Sequence, residues 1–354
     1  MAYPGGLLSE RPALAISPDS AASRNTESTW ERARITVNHP VEHVHVCAFK
    51  GLQNIPLYVA LEQRLFAANG LDVTVSYTVG SAPQLAGLAR GEYDLIQTAP
   101  DNVVNFNTAP TAFGIEPQSA PRVVMILGGS NGPLSVYSRP DITTWDALRG
   151  GVVGADNPGS GFALVLRDLL ARRGLLLERD YTMTVAGSTS RRVDALIGGD
   201  IAATILYAPF DRQAEQHGCH RLVSSPEYYP AYASLATAAT HDWLAARSEA
   251  AVAYLRSMLQ SLRWIHDPAR AGQVKSIMVN EPALSLAPES VDGAFAAFTD
   301  PATGFGETAA LDDAALRQVI AIRAALTGLS LAALPVERFR DPRWYDRALR
   351  SMPR

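Results

Sequence analysis

Residues 46–75 read VCAFKGLQNIPLYVALEQRLFAANGLDVTV. The segment His43 to Phe49 is short, mostly apolar and followed by a loop, the pattern of a strand buried on both faces of a parallel sheet. A helix follows. Pro56 falls in its first turn, where a missing N–H leaves no bond unmade, and Leu57, Ala60, Leu61, Arg64 and Leu65 recur at three-and-four spacing until Gly70 ends the pattern. Leu71, Val73, Val75 and Tyr77 then alternate as a second strand.

The same order continues and then repeats. Gly80-Ser81 opens a helix through Leu85 and Leu88, Gly91 stops it, and an apolar run begins at Asp94. Further on, a strand at Gly151 to Ala155 leads through Asn157 to Gly161 into a helix carrying Leu164, Leu166, Leu169 and Leu170, which stops at Gly174. A strand at Tyr181 to Val185, a helix from Gly187-Ser188 through Leu196, a stop at Gly198-Gly199 and a run from Asp200 complete the second copy. Gly80 and Gly91 lie eleven apart, as do Gly187 and Gly198.

Strands and helices alternating at this length require right-handed crossovers and parallel sheets covered on both faces. The fold class expected is therefore α/β with two lobes, each a mainly parallel sheet flanked by helices, joined by two hinge segments. Leu134 to Pro140 reads as the passage to the second lobe and Tyr229 to Thr240 as the return. Lobe 1 is expected over 43–133 plus 232–345 and lobe 2 over 134–231. Residues 242–354 read as mostly helical, with the stripe Val252, Leu255, Leu259 and Leu262, and 346–354 as a C-terminal tail. Residues 1–42 are polar and punctuated by Pro4, Pro12, Pro18 and Pro40, a composition expected to form a loosely ordered arm.

Bulk composition narrows the function. With 354 residues, 47% hydrophobic and 19% charged, the chain has enough apolar material for a two-lobed globular protein. A formal charge of −4 with no basic block argues against nucleic acid as a partner. Cys47 and Cys219 form neither a CxxC pair nor a disulfide framework, and the run His217, Cys219, His220 reads as a polar turn rather than a metal site. No Walker A, Rossmann or H-E-x-x-H motif is present, so no cofactor is expected. Gly128-Gly129-Ser130-Asn131-Gly132 matches G-x-S-x-G, but Pro133 and an extended run follow where a nucleophile elbow needs a helix, so it reads as a hinge loop.

With residues 46–75, the run GEYDLIQTAPDNVV at 91–104 and the two-lobe order in place, the chain resembles the solute-binding proteins of ABC importers. It is similar to the NMT1/THI5-like or SsuA-like branch, which includes sulfonate-, taurine-, nitrate- and thiamine-precursor-binding proteins. The likeness runs over roughly residues 43 to 345. It implies the type II periplasmic binding protein fold, closing by a hinge on a small organic or anionic ligand of sulfonate, carboxylate or aromatic acid type. It also implies a monomer that meets an importer's permease subunits. Family members carry an export signal or lipid anchor and work in the cell envelope; no signal-like apolar stretch is read in the first 42 residues, so as written the chain is expected in the cytoplasm. The alternative carried beside transport is an enzyme on the same fold, desulfinase-, decarboxylase- or pyrimidine-synthase-like. A desulfinase-like nucleophile would fall at Gly51, Cys47 lies inside the strand, and neither a cysteine cluster nor the lysine after the fourth strand that marks the pyrimidine synthases is found.

In open parallel sheets the ligand crevice lies beyond the carboxyl ends of the strands. That rule selects the loops Lys50 to Asn54, Gly80 to Pro83, Thr98 to Asn102, Ser130-Asn131, Asn157 to Gly161, Ser188 to Arg191 and Tyr207 to Phe210. Their free N–H groups and helix N-termini suit an anion. Lys50 is a candidate countercharge or a solvated lysine. Gln53 and Asn54 both donate and accept, and Asn54 also suits a helix cap. Gly80 and Ser81, Ser160 and Ser188 stand where helices begin, as caps or as ligand contacts. Thr98, Asp101 and Asn102 follow an apolar strand, with Asp101 complementing the helix dipole rather than acting as a base. Asn157 opens its loop. Tyr207 and Phe210 offer an aromatic wall or packing beneath the cleft. Arg191 and Arg192 open a helix where cations are disfavoured, which points to an acid facing one of them, and Arg191 is the residue placed in the site.

Overall fold

The computed structural model describes residues 41–129, 133–301 and 304–352. Nearly all of the expected arm, and Ser130-Asn131 of the hinge loop, lie outside the described residues. In chain order the first half builds β1 (Glu42–Ala48), α1 (Ile55–Glu62), α2 (Leu65–Ala68), β2 (Leu71–Tyr77), α3 (Ser81–Ala89), β3 (Leu95–Thr98), α4 (Pro100–Thr108) and β4 (Val123–Gly128). Next come β5 (Ser135–Ser138), β6 (Val152–Ala155), α5 (Gly161–Arg172), β7 (Thr182–Val185), α6 (Thr189–Ile197), β8 (Ala203–Leu206), α7 (Phe210–Gln216) and β9 (His220–Ser224). The chain returns through β10 (Ala236–Thr240) and finishes in α8 (His241–Ala246), α9 (Ser248–Ile265), α10 (Ala271–Asn280), α11 (Val291–Thr299), α12 (Asp313–Thr327) and α13 (Pro342–Arg350).

These strands form two five-stranded sheets, ordered β2-β1-β3-β10-β4 and β7-β6-β8-β5-β9. β1 is parallel to β2 and β3, and β6 to β7 and β8, as the repeated strand–helix order requires. Both sheets are nonetheless mixed, which refines the expectation of mainly parallel ones. β10 is antiparallel to β3 and β4, and β5 to β8 and β9. The odd strand in each sheet is the one that the crossing segment donates. A chain that leaves one sheet at the cleft edge enters the other at its cleft edge, with no crossover helix to turn it round, and so runs against its new neighbours.

Two elements differ from the sequence pattern. The helix expected without a break from Pro56 to Gly70 is interrupted at Arg64, whose φ of 55° is left-handed. That conformation costs about 1–2 kcal/mol. The break lets Phe66 stack on Tyr254 of α9, with ring centroids 5.2 Å apart, and turns Asn69 toward the same helix. There Asn69 donates to Ser257 and Gln260 and accepts from Arg256. The expected tail at 346–354 begins inside α13, which packs on α9 and β4, so most of it is structural.

One apolar core runs through both lobes. Leu85, Val103 and Phe106 under the first sheet continue through Leu316, Val319 and Ile320 of α12 to Leu166, Leu169 and Leu170 of α5. The Asp312 carboxylate caps α12 by accepting from the N–H groups of Ala314 and Ala315, and Gly328 ends it at a φ of 71°. This helix packs on α4 and α5 together, so it straddles the back of the cleft. A second core on the other face of the first sheet is filled by α1 and α9.

Candidate functional site

A cavity of about 180 Å³ lies where the strand ends of the two sheets face each other. Phe49, Leu52 and Gln53 reach it from the loop after β1, Ala99 and Asn102 from the junction of β3 with α4, and Asp156 and Ser160 from the loop after β6. Ser188, Thr189 and Arg192 enter from the start of α6, Tyr207 from the turn between β8 and α7, and Asp211 and Arg212 from the first turn of α7. The apolar part of its wall is largely aromatic: Phe49, Phe162, Tyr207, Phe298 and Phe305, with Leu52 and Leu235. An apolar cavity of about 150 Å³ suffices to take up benzene, so this one has room for a single substituted ring or an aliphatic body of that size.

Local backbone chemistry aims the first loop inward. Gly51 has a φ of +149°, which only glycine adopts without strain, and a Cβ there would lie 2.3 Å from Gln53 Oε1. The bare glycine lets the Gln53 amide fold into the cavity, where its Nε2 donates to the Tyr207 hydroxyl across the cleft at 3.2 Å. Tyr207 is held edge-on against Phe162 and Phe210, each at 5.8 Å between ring centroids. Burial pushes its phenol up, so it stays a neutral hydroxyl.

Arg192 is the dominant charge. It is only 1% exposed, and α6 carries it inward on a stripe formed with Thr189, Val193 and Leu196. Its Nη1 donates to the Gly187 carbonyl at 2.8 Å, and its Nη2 to Thr189 Oγ1 at 2.9 Å and the Ile205 carbonyl at 3.3 Å. Its Nε–H has no partner, and no carboxylate lies within ion-pair distance among the described residues. Burial lowers its pKa, opposed by the nearby charge of Asp156, which favours the guanidinium. A buried cation held only by neutral acceptors is destabilising by several kcal/mol, and an anion in the cavity removes that penalty.

Asp156 bridges the lobes. Its Oδ1 accepts from Ser160 Oγ at 2.5 Å on its own loop, and its Oδ2 accepts from Ser81 Oγ at 3.2 Å on the facing lobe. Asp211 opens α7, accepts from the Arg212 backbone N–H at 2.7 Å, and is pushed up by burial. Behind the cavity, Arg323 of α12 makes a two-pronged ion pair with Asp101 of α4 and donates to Asn105 Oδ1 and to the Gly159 carbonyl on the facing lobe.

Of the residues selected from the sequence, Gln53, Asn102, Ser160, Ser188 and Tyr207 line the cavity. The others are placed elsewhere. Lys50 is exposed, its ammonium 5.7 Å above the Tyr77 ring. The Asn54 amide donates to the Phe49 carbonyl and braces the first loop from within, at 2.5 Å. Gly80 precedes α3 outside the cavity, and Ser81 is turned to Asp156. Thr98 accepts from Asn102 at the end of β3, and Asp101 is consumed by Arg323. Asn157 is exposed and closes its own turn by accepting from the Gly159 N–H. Arg191 points to solvent, one helical step from the residue that enters, and Phe210 packs beneath Tyr207. Ser130 lies outside the described residues. Cys47 is a buried strand residue whose thiol burial pushes up to about 11.

Two mixed sheets facing across a cleft, the second built from one continuous segment and the first completed by the returning strand β10, define the periplasmic binding protein fold. The chain belongs to the NMT1-like family, whose family model matches residues 38–279. Solved structures share the fold at low identity. A protein from Bordetella bronchiseptica RB50 superimposes with a TM-score of 0.71 at 18% identity, over 87% of this chain and 97% of that one. The periplasmic nitrate-binding protein NrtA from Synechocystis PCC 6803 gives 0.73 at 14%, over 88% and 89%. The alkanesulfonate-binding protein SsuA from Xanthomonas axonopodis pv. citri bound to MOPS gives 0.62 at 16%, over 88% and 98%. No curated protein matches the sequence.

Proposed function

We propose that the protein is the solute-binding component of an ABC-type importer, taking one small organic anion between its lobes and presenting the closed form to a permease. The observation that carries this reading is Arg192, a buried guanidinium at the cavity wall with an unpartnered Nε–H and no carboxylate in ion-pair contact among the described residues. The aromatic walls and the volume favour an acid with an apolar body of about one ring. The fold shared with nitrate- and alkanesulfonate-binding proteins supports a carrier role. A ligand shifts a two-lobed equilibrium only by preferring one state, and contacts to both walls, Gln53 from one lobe and Arg192 from the other, supply that preference. Cys47, enclosed in β1 as a neutral thiol, offers no nucleophile to the cleft.

The test is thermal melting of the purified protein with benzoate, phenylacetate, benzenesulfonate and nitrate. An acid that fits adds about 2.7 kcal/mol to stability at one hundred times its Kd, and the one-ring acids should outperform nitrate. Arg192→Lys, which keeps the charge and loses the fork, should weaken the response. A panel in which neither these acids nor amine-bearing acids of the same size move the melting temperature would refute the reading.

A further inference from the structure

The cavity holds one buried cation, but it is not a simple anion hole. Two carboxylates share its wall, Asp156 after β6 and Asp211 at the start of α7. No lysine or arginine lies within ion-pair distance of either among the described residues. The partners they do have are hydroxyls and a backbone N–H: Ser160 and Ser81 donate to Asp156, and the Arg212 N–H donates to Asp211. A carboxylate has about four acceptor positions, so both acids retain acceptors for a further donor. Arg192 Nε is a donor without an acceptor, and Gln53 Oε1 is a buried acceptor without a donor. A ligand carrying only negative charge satisfies Arg192 but also faces two half-buried acids, with the exposed Arg212 as the only other cation in the cavity wall among the described residues. A ligand carrying both signs satisfies all four groups.

Resting on the solute-binding reading above, we infer that the natural solute is amphoteric: a small, largely apolar body, ring-sized, with an acid group that meets Arg192 and a protonated amine that meets Asp156 and Asp211. A plain acid leaves Asp156 without a cation in ion-pair contact and Asp211 beside only the exposed Arg212, and a plain amine leaves Arg192 without an anion. Desolvated polar groups left unpaired are what discriminate best between analogues of one shape.

The experiment is isothermal titration of the intact protein with matched pairs that differ by an amine: phenylalanine against 3-phenylpropionate, 3-(aminomethyl)benzoate against 3-methylbenzoate, and 5-aminopentanoate against pentanoate. In at least one pair the amine-bearing member should bind tenfold tighter or more. Asp156→Asn and Asp211→Asn, both nearly isosteric, should reduce that ratio, the amine-bearing member losing more affinity than its partner. Equal binding within every pair, or tighter binding of the plain acids, would overturn the inference while leaving the carrier reading intact. A ratio unchanged in both variants would overturn it as well. Binding of neither member of any pair would overturn the inference together with the reading beneath it.

Discussion

Arg323→Met is the substitution whose consequence is most sharply set by the structure. The Arg323 and Asp101 side chains are 4% and 2% exposed, so their ion pair is shielded from solvent and salt alike. Truncating the guanidinium strands the carboxylate in apolar surroundings and leaves Asn105 Oδ1 and the Gly159 carbonyl short of a donor. Breaking a buried pair from one side costs about 3–5 kcal/mol, most of it the penalty of the abandoned charge. Burial already raises the Asp101 pKa against the pull of Arg323. With the arginine gone the carboxyl is raised further, so the loss is greatest at neutral pH and shrinks as the pH falls through the raised folded value and the acid takes up a proton. Removing both charges, as Arg323→Met with Asp101→Asn, should recover a large part of the loss, because no unpaired ion remains. The assay is urea unfolding followed by tryptophan fluorescence at pH 7 and pH 5, and the continuous core through α12 should make both lobes unfold in one transition. A single-variant loss below about 1 kcal/mol, or losses that simply add in the double variant, would refute the role assigned to this pair.

Two further outcomes follow from the same geometry. A Cβ on Gly161 would lie 2.4 Å from Asp101 Cβ, so Gly161→Ala should destabilise the protein by about 1–3 kcal/mol in urea titrations, whereas at Gly159 the nearest atom is the Asn157 side-chain oxygen at 3.4 Å, so Gly159→Ala should be far milder. Arg343 holds the Asp341 carboxyl below the usual range. A depressed folded pKa gives stability that is present above the ordinary aspartate value and is lost as pH falls through the folded one, so Asp341→Asn, which keeps the α13 cap, should differ from the parent by up to about 1 kcal/mol at neutral pH and converge with it in acid.

The two lobes and their loops were legible because glycine stops, helix starts and strand alternation are local signals. What faces the cavity was less so. Arg191 and Arg192 differ by one position, and one step along a helix turns a side chain by about 100°. The signal that separates them was present: Thr189, Arg192, Val193 and Leu196 share a three-and-four stripe, and Arg192 is the arginine on it. Asp156 stands one residue before the loop that was selected, at the last step out of β6. Nothing local marks Phe298 and Phe305 as cavity walls, because α11 is brought there by packing across the whole C-terminal region. Nor does anything local join Asp101 to Arg323, 222 positions away, which is why a residue read as a dipole partner proved to be half of a buried ion pair. The antiparallel strands were missed for a related reason, since the direction of a crossing segment is set by where the cleft edges meet and not by its own residues.

The account stands most directly on where an acid group sits. A crystal structure of the protein with the one-ring acid that raises its melting temperature most should show the ligand packed against Phe162 and Tyr207, its acid oxygen about 3 Å from Arg192 Nε. An acid group turned away from Arg192, or a ligand bound outside the cleft, would contradict it.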